Sequence, residues 1–430
     1  MPKQEGLNIL ANNSNFSSIF STTGAKKFIG KTGVLLTFEL ALLSLMIVSL
    51  PSLEAPKNIF LVFYVIVALI RQFKYKSLYS WGLWDWVFLS IISSSFLSTI
   101  FAGLAPASEW KGFMVLMTFI STGWLISRSQ YPKKYISFLF WLIILSTIPP
   151  LIYGYWQYLF THQKNALQLH SVGHENHSAI YLAIIFGAAV GAILAYWKSV
   201  SVKLKIFLIL QVIILLIGLT IGHSRGAFGV SLILAALLII SSNLNGNLKK
   251  IFFLMLSLYF LSLIILNVEI IEKQINVSAA NDVLAGRVEV WNISIEAARF
   301  YPILGIGMSN WEHITPKLIQ ESLEKRHETY IKTNYNFVGH SHNLYLTALS
   351  ERGIIGFMVL IGFMFFWMKE QFTSFKTIKK DALGFSLWAG SISAWFGTFG
   401  IGLVNTTFHH EHGILACLLL GLFLAFKKRV

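Results

Sequence analysis

Long apolar runs separated by short basic or polar stretches dominate the chain. Twelve runs predict spanning helices at about 34–50, 58–70, 85–103, 112–127, 135–152, 178–197, 206–221, 226–240, 251–268, 353–368, 383–401 and 411–426. Several fall short of the roughly 20 residues that cross a typical bilayer. The pattern breaks once, over residues 269–352, which are too few for a large separate domain. Within that segment the run Asn281–Phe300 reads as a helix after Asp282, a candidate N-cap. Val283, Val290, Ile293 and Ala297 have the spacing of one buried face. Tyr301–Pro302 ends it, and Gly305 and Gly307 permit a tight turn. A second helix is expected over about 313–329, with Pro316 in its first turn. A third begins at Asn343–Ser350 and leads through Gly353 and Gly356 into the tenth span. The expected fold is all-α: a polytopic integral membrane protein whose small helical segment caps a cavity.

Basic residues orient these spans. One set of loops, together with Lys3, carries 22 of the 34 Lys and Arg residues. Of the 12 others, 8 lie in 269–352. Short-loop Lys and Arg stay on the cytoplasmic side, whereas long segments translocate largely regardless of charge. Both termini are therefore expected in the cytoplasm, with residues 1–33 a flexible N-terminal segment and 427–430 a short tail. Residues 34–268 hold spans one to nine, 269–352 lie on the non-cytoplasmic side, and 353–426 hold the last three spans. All twelve histidines fall on the non-cytoplasmic side of this arrangement.

Composition changes the picture little. Of 430 residues, 55% are hydrophobic and only 12% charged. A soluble domain carries about twice that charged fraction. The net charge of +15 is spread along the borders of apolar runs and forms no stripe for nucleic acid. A single cysteine, Cys417, excludes a disulfide framework and a thiolate zinc cluster.

Three polar clusters stand out on the histidine side. In Val338–Gly356, His340 and His342 precede an apolar helix start. A neutral imidazole there suits removal of a proton from a sugar hydroxyl, since its ordinary pKa is about 6.5; the plainer reading is a helix cap. Arg225, in GHSRGAF, sits at the external end between two spans, and its planar fork suits phosphate oxygens. Arg287 lies on the first helix of the external segment and points to a clamp with Arg225, although a solvated arginine explains it equally well. Glu289, two residues on, does not share its face. Arg299 and Arg352 are weaker candidates. Lys164, His170, His174 and His177 offer a further cavity wall. The letters His174-Glu175-Asn176-His177 have the wrong register for a helical zinc motif, and His409-His410-Glu411-His412 reads better as a polar rim than as a metal site. Glu39 lies inside the first span with no evident partner, and Asp85 reads as an interfacial N-cap.

Ser224-Arg225-Gly226-Ala227, then Gly286-Arg287 with Trp291, then His342-Asn343-Leu344-Tyr345-Leu346 followed by Glu351-Arg352-Gly353 and Gly356, resemble the bacterial O-antigen ligase and Wzy-type polymerase superfamily in identity and order. The resemblance implies an inner-membrane glycosyltransferase with a periplasmic active site. Its donor is a glycan on undecaprenyl pyrophosphate, and for a ligase its acceptor is a hydroxyl of lipid A-core. Arg225 and Arg287 then hold the donor pyrophosphate and His342 serves the acceptor hydroxyl. His340, His174, His177, Arg352 and Glu351 are secondary site candidates. Inversion, no metal or other cofactor, membrane lipids as surroundings, no nucleic acid partner and monomeric action are expected. A Wzy-type polymerase and a protein O-oligosaccharyltransferase are the related alternatives. A secondary transporter using Glu39 or the external histidines is the alternative from another class, and a membrane scaffold explains the ordered motifs least well.

Overall fold

The computed structural model describes residues 33–75, 80–169, 172–266, 268–269, 271–272, 275 and 286–429. Asp282, Val283 and His170, named above, lie outside them. The described residues form helices α1 (Val34–Ser49), α2 (Glu54–Lys74), α3 (Leu83–Ile100), α4 (Ser108–Arg128), α5 (Lys133–Ser146), α6 (Ile148–Leu159), α7 (Glu175–Tyr196), α8 (Val202–Ile221), α9 (Arg225–Ser241) and α10 (Gly246–Ile265). They continue with α11 (Arg287–Phe300), α12 (Pro316–Glu324), α13 (Leu344–Ile378), α14 (Ala382–Trp395) and α15 (His410–Lys427). The protein is an all-α, polytopic membrane protein. Among the described residues, eight helical stretches are long and apolar enough to cross a membrane, one of them running through α5 and α6 from Lys133 to Leu159; α1 and α9 are shorter apolar helices.

At the centre, α7 and α15 are almost wholly enclosed, whereas α10 turns nearly all of its surface outward. Lipid tails are as apolar as leucine, so burial cannot drive helix association within a bilayer; close packing has to. Small residues provide it. A Cβ on Gly187 would lie 2.0 Å from Ser393 Oγ, and one on Gly191 would lie 2.1 Å from Ala389 Cβ. Helix α7 thus presses its backbone against α14 along a Gly-x-x-x-Gly edge.

Basic loop residues gather at one end of the bundle and take carboxylates with them. Arg71 pairs with Glu39 and donates to the Ser129 carbonyl at 2.9 Å, while Tyr131 Oη donates to Glu39 Oε1 at 2.5 Å. Glu39 therefore has a buried partner after all, supplied by the next helix. Asp85 accepts from Gly82 N at 2.7 Å, from Trp124 Nε1 at 2.6 Å and from Arg128, so it caps α3 from inside its first turn. Lys133 pairs with Asp381 and Lys427 with Glu370. Lys428, near the C-terminus, donates to the Ser127 carbonyl at 2.9 Å.

Residues 286–343 fold over the opposite end. Helix α11 buries Val290, Ile293 and Ala297 as its spacing requires, against Ile306, Trp311, Ile314, Leu318, Ile319 and Leu323. The second helix is shorter than expected: α12 starts at Pro316 behind Thr315, whose hydroxyl accepts from Leu318 N, and stops at Glu324. Just beyond it, Arg326 turns back to pair with Glu296 at 2.7 Å and Glu328 at 3.1 Å.

Two departures from regular helix shape the site. Helix α13 breaks at Gly353 (φ 62°, ψ −167°). The turn 302–307 docks into that break, with Ile354 N donating to the Pro302 carbonyl at 2.8 Å and Ile306 N to the Ser350 carbonyl at 2.9 Å. The eleventh expected span also ends differently from its prediction. Regular helix stops at Trp395, a π-turn covers Phe396–Gly400, and a 3-10 turn covers Ile401–Leu403. Wide turns of this kind are often found at functional sites.

Candidate active site

His342 stands two residues before α13, in the left-handed region at φ 50°. Only a minority of non-glycine residues adopt that conformation, so its neighbours have to impose it. Asn343 caps the helix, its Oδ1 accepting from Tyr345 N at 2.9 Å and Leu346 N at 3.0 Å. Its Nδ2 donates to the Leu403 carbonyl at 3.0 Å. Buried Ser341 donates to the Asn343 carbonyl at 2.8 Å and lies 2.5 Å from Thr347 Oγ1. The Ser-His-Asn sequence is therefore a clamp that fixes the His342 backbone between two capping side chains.

The irregular connection 396–405 carries this clamp to the other helices. Tyr345 Oη donates to the Phe399 carbonyl at 2.9 Å. A Cβ on Gly402 would stand 3.0 Å from Leu344 Cβ, and one on Gly226 would stand 3.1 Å from Val404 Cγ2. The starts of α9 and α13 thus pack on one short stretch of backbone. Arg225 is the first residue of α9, and His342 lies two residues before α13.

Asn405 ends that stretch and is 5% exposed. Its side chain hydrogen-bonds with His342 and favours the protonated ring. Its Oδ1 also accepts from Thr406 N at 2.9 Å. Sequence reasoning passed over Asn405 because an Asn-Thr-Thr run between spans reads as an ordinary loop. The one available signal was its place in a polar stretch, NTTFHHEH, at the mouth of an apolar helix.

Arg287 begins α11 behind Gly286, which takes the left-handed conformation at φ 68°. Burial and the nearby charge of Arg225 lower the proton affinity of Arg287. Among the described residues no carboxylate lies within ion-pair distance of it. Arg287 is in turn one of the charges felt by His342. Partial burial, His340, Arg287 and His174 pull the His342 pKa down to about 4, against the opposing bond from Asn405. Partial burial and His174 likewise lower His340. Arg287 thus feels Arg225, His342 feels Arg287, His340 and His174, and His340 feels His174. Two adjacent guanidinium groups beside a neutral imidazole can hold a polyanion and, next to it, accept a proton from a hydroxyl.

The other histidines lie close by. The His340 and His342 rings are 4.1 Å apart between centroids. His174 caps α7, its Nδ1 accepting from Asn176 N at 3.2 Å. His177, on the first turn of α7, packs 4.8 Å from His409, 5.8 Å from His410 and 5.5 Å from His412. Among the described residues no three His, Cys, Asp or Glu side chains are gathered so as to hold a metal ion. Beneath the rim, Lys57 and Glu411 form a buried ion pair between α2 and α15.

Glu351 and Arg352 are built into the α13 break instead. The Glu351 carboxylate accepts from the backbone of Ser309 and Trp311, and Ser98 Oγ donates to the Glu351 carbonyl at 2.9 Å. Arg352 is buried over Gly356, where a Cβ would lie 2.2 Å from its own Cβ. Lys164 is exposed on the loop after α6. Arg299 pairs with Glu296 at 2.8 Å, which accounts for it structurally.

The fold and site define a multi-pass helical membrane protein with an arginine–histidine centre beneath a small helical cap. Residues 210–361 match the family model described as O-antigen ligase, a stretch that includes Arg225, Arg287 and His342 and stops short of Asn405. No curated protein matched the chain. Over that part of its length the chain is similar to the O-antigen ligase family.

Proposed function

We propose that the protein is an O-antigen ligase of the bacterial inner membrane. It transfers a glycan from undecaprenyl pyrophosphate to a hydroxyl of lipid A-core at the periplasmic face. The observation that carries this reading is the succession of Arg225, Arg287 and His342 at the end of the bundle opposite the basic loops. That opposition supports cytoplasmic termini and a periplasmic cap over 269–352, since loop lysines and arginines stay inside.

His342 is neutral near pH 7 and accepts the proton of the acceptor hydroxyl as its oxygen attacks the anomeric carbon. The bond from that carbon to the pyrophosphate oxygen breaks, and its electron pair leaves with the lipid pyrophosphate. Charge grows on the leaving group, where fixed guanidinium donors stabilise the transition state more than the ground state. Attack opposite the leaving group inverts the anomeric centre. The donor bond is already activated, so the reading calls for no nucleotide, metal or cofactor. One chain supplies all three groups, which suits action as a monomer.

The deciding experiment gives purified protein in nanodiscs one lipid-linked glycan and separate acceptors. Product on lipid A-core is expected. Product only on a second lipid-linked glycan identifies a polymerase, and product only on a Ser or Thr of a protein identifies a protein O-oligosaccharyltransferase. No transfer to any of them would refute the glycosyltransferase reading altogether.

A further inference from the structure

Resting on that reading, we propose that the histidines of α7 and of the α15 mouth, beyond His342 from the arginines, form the acceptor subsite and bind an uncharged, polyhydroxylated stretch of sugar. The argument starts from the stereochemistry of displacement. The nucleophile and the leaving group lie on opposite sides of the reacting carbon. Arg225 and Arg287 mark the leaving-group side, and His342 touches the nucleophile. The acceptor must then approach from the far flank of His342.

Around His342 the structure gathers imidazoles from three separate parts of the chain. His340 lies 4.1 Å from His342 between ring centroids. His174 is close enough to both to influence them and lies 5.8 Å from His177. His177 packs 4.8 Å from His409 and 5.8 Å from His410, and those two are 4.4 Å apart. His174, His340 and His410 are exposed, so they form an open face rather than a core. His412, 1% exposed and 4.8 Å from His409, lies beneath them with no hydrogen-bond partner among the described residues for either ring nitrogen.

Buried ring nitrogens are ordinarily hydrogen-bonded, so this group retains unused hydrogen-bonding capacity. A neutral imidazole carries one donor and one acceptor, the complement of a sugar hydroxyl, which is also both. Crowding several imidazoles together disfavours their charged forms. The face therefore suits hydroxyl groups better than phosphates, and the division of labour follows: the arginines take the anionic donor, the histidines the neutral acceptor.

The test titrates donor and acceptor separately in nanodiscs, using delipidated core oligosaccharide as the binding probe. The double variant His174→Ala/His410→Ala should raise the acceptor KM roughly tenfold, the scale of two lost hydrogen bonds. Donor KM should stay within about twofold of wild type, because the lost contacts are to the acceptor. If the double variant fails to fold, the single variant His410→Asn, which keeps one donor and one acceptor, should show a smaller rise. In the His342→Ala background the same two substitutions should weaken binding of the core oligosaccharide by the same factor. That measurement needs no turnover, so it decides the subsite even if wild type transfers to no acceptor. An unchanged acceptor KM and unchanged oligosaccharide binding would overturn the assignment, as would a donor KM that rises equally.

Discussion

Replacing Arg287 with alanine probes the proposed donor clamp most sharply. Arg287 is half-buried, sits beside Arg225, and has no carboxylate at ion-pair distance among the described residues. A pyrophosphate would accept charge-assisted hydrogen bonds from both guanidinium groups. One charge-assisted hydrogen bond contributes about 1.5–3 kcal/mol. At about 1.36 kcal/mol per factor of ten, Arg287→Ala should lower kcat/KM for the donor roughly 10- to 150-fold. Part of the loss should fall on kcat, because the contact strengthens as the leaving group gains charge. Arg287→Lys keeps the charge but loses the planar fork, so its loss should be smaller and still measurable. Arg225→Ala should resemble Arg287→Ala. The double variant should depart from the product of the single effects, because the two residues share one ligand. The assay is a donor titration in nanodiscs at saturating acceptor, with thermal unfolding as the check on folding. If both single variants keep donor KM and kcat within twofold of wild type, there is no clamp.

Four further outcomes follow from the same geometry. His342→Ala should fold normally and lose transfer by roughly 10²- to 10⁴-fold, the range for a general base. In wild type, lowering the pH should remove activity only as His342 protonates near 4; a pH–rate profile that falls near the ordinary value of about 6.5 would contradict the surroundings described for the ring. Asn405→Ala should reduce kcat and move that acid limb to lower pH, since the lost bond favoured the protonated ring, whereas Asn405→Asp should move it upward; a profile that neither variant shifts means that Asn405 does not act through His342. Gly353→Ala should lower the melting temperature sharply, because its Cβ would lie 2.2 Å from the Ile303 carbonyl oxygen at a backbone φ of 62°, while Gly362→Ala, with nothing within 4 Å, should be neutral.

The parts of the fold that follow from local chemistry were legible in the sequence. Apolar runs marked where helices lie, and the spacing of Val290, Ile293 and Ala297 marked the buried face of α11. Basic loops marked one end of the bundle before any contact between them was known. Departures from regularity were not legible. The π-turn at Phe396–Gly400 sits in residues as apolar as the helix before it, so hydropathy runs straight through the change. Pro316 marked the start of α12, but its early end depends on Arg326 reaching Glu296, a partner 30 residues away.

The candidate site divides in the same way. Arg225, Arg287 and His342 were singled out by residue type and order; in the structure Arg287 feels the charge of Arg225, and His342 that of Arg287. Glu351 shared their motif but belongs to the joint at Gly353, a role that only the docked turn 302–311 reveals. His177 and His409 are separated by more than half of the chain, and nothing local in either segment announces that their rings meet. Asn405 shows the same limit, because its importance lies in a contact with His342 made across the bundle.

The central claim is that one periplasmic centre holds a lipid pyrophosphate against Arg225 and Arg287 while His342 faces the reacting sugar carbon. A cryo-electron microscopy structure of the His342→Ala variant in nanodiscs with bound undecaprenyl-pyrophosphate glycan tests it directly. The account predicts pyrophosphate oxygens within hydrogen-bond distance of both guanidinium groups, with the first sugar turned toward residue 342. Pyrophosphate density at the end bearing Arg71 and Arg128, or a glycan lying away from residue 342, would contradict it.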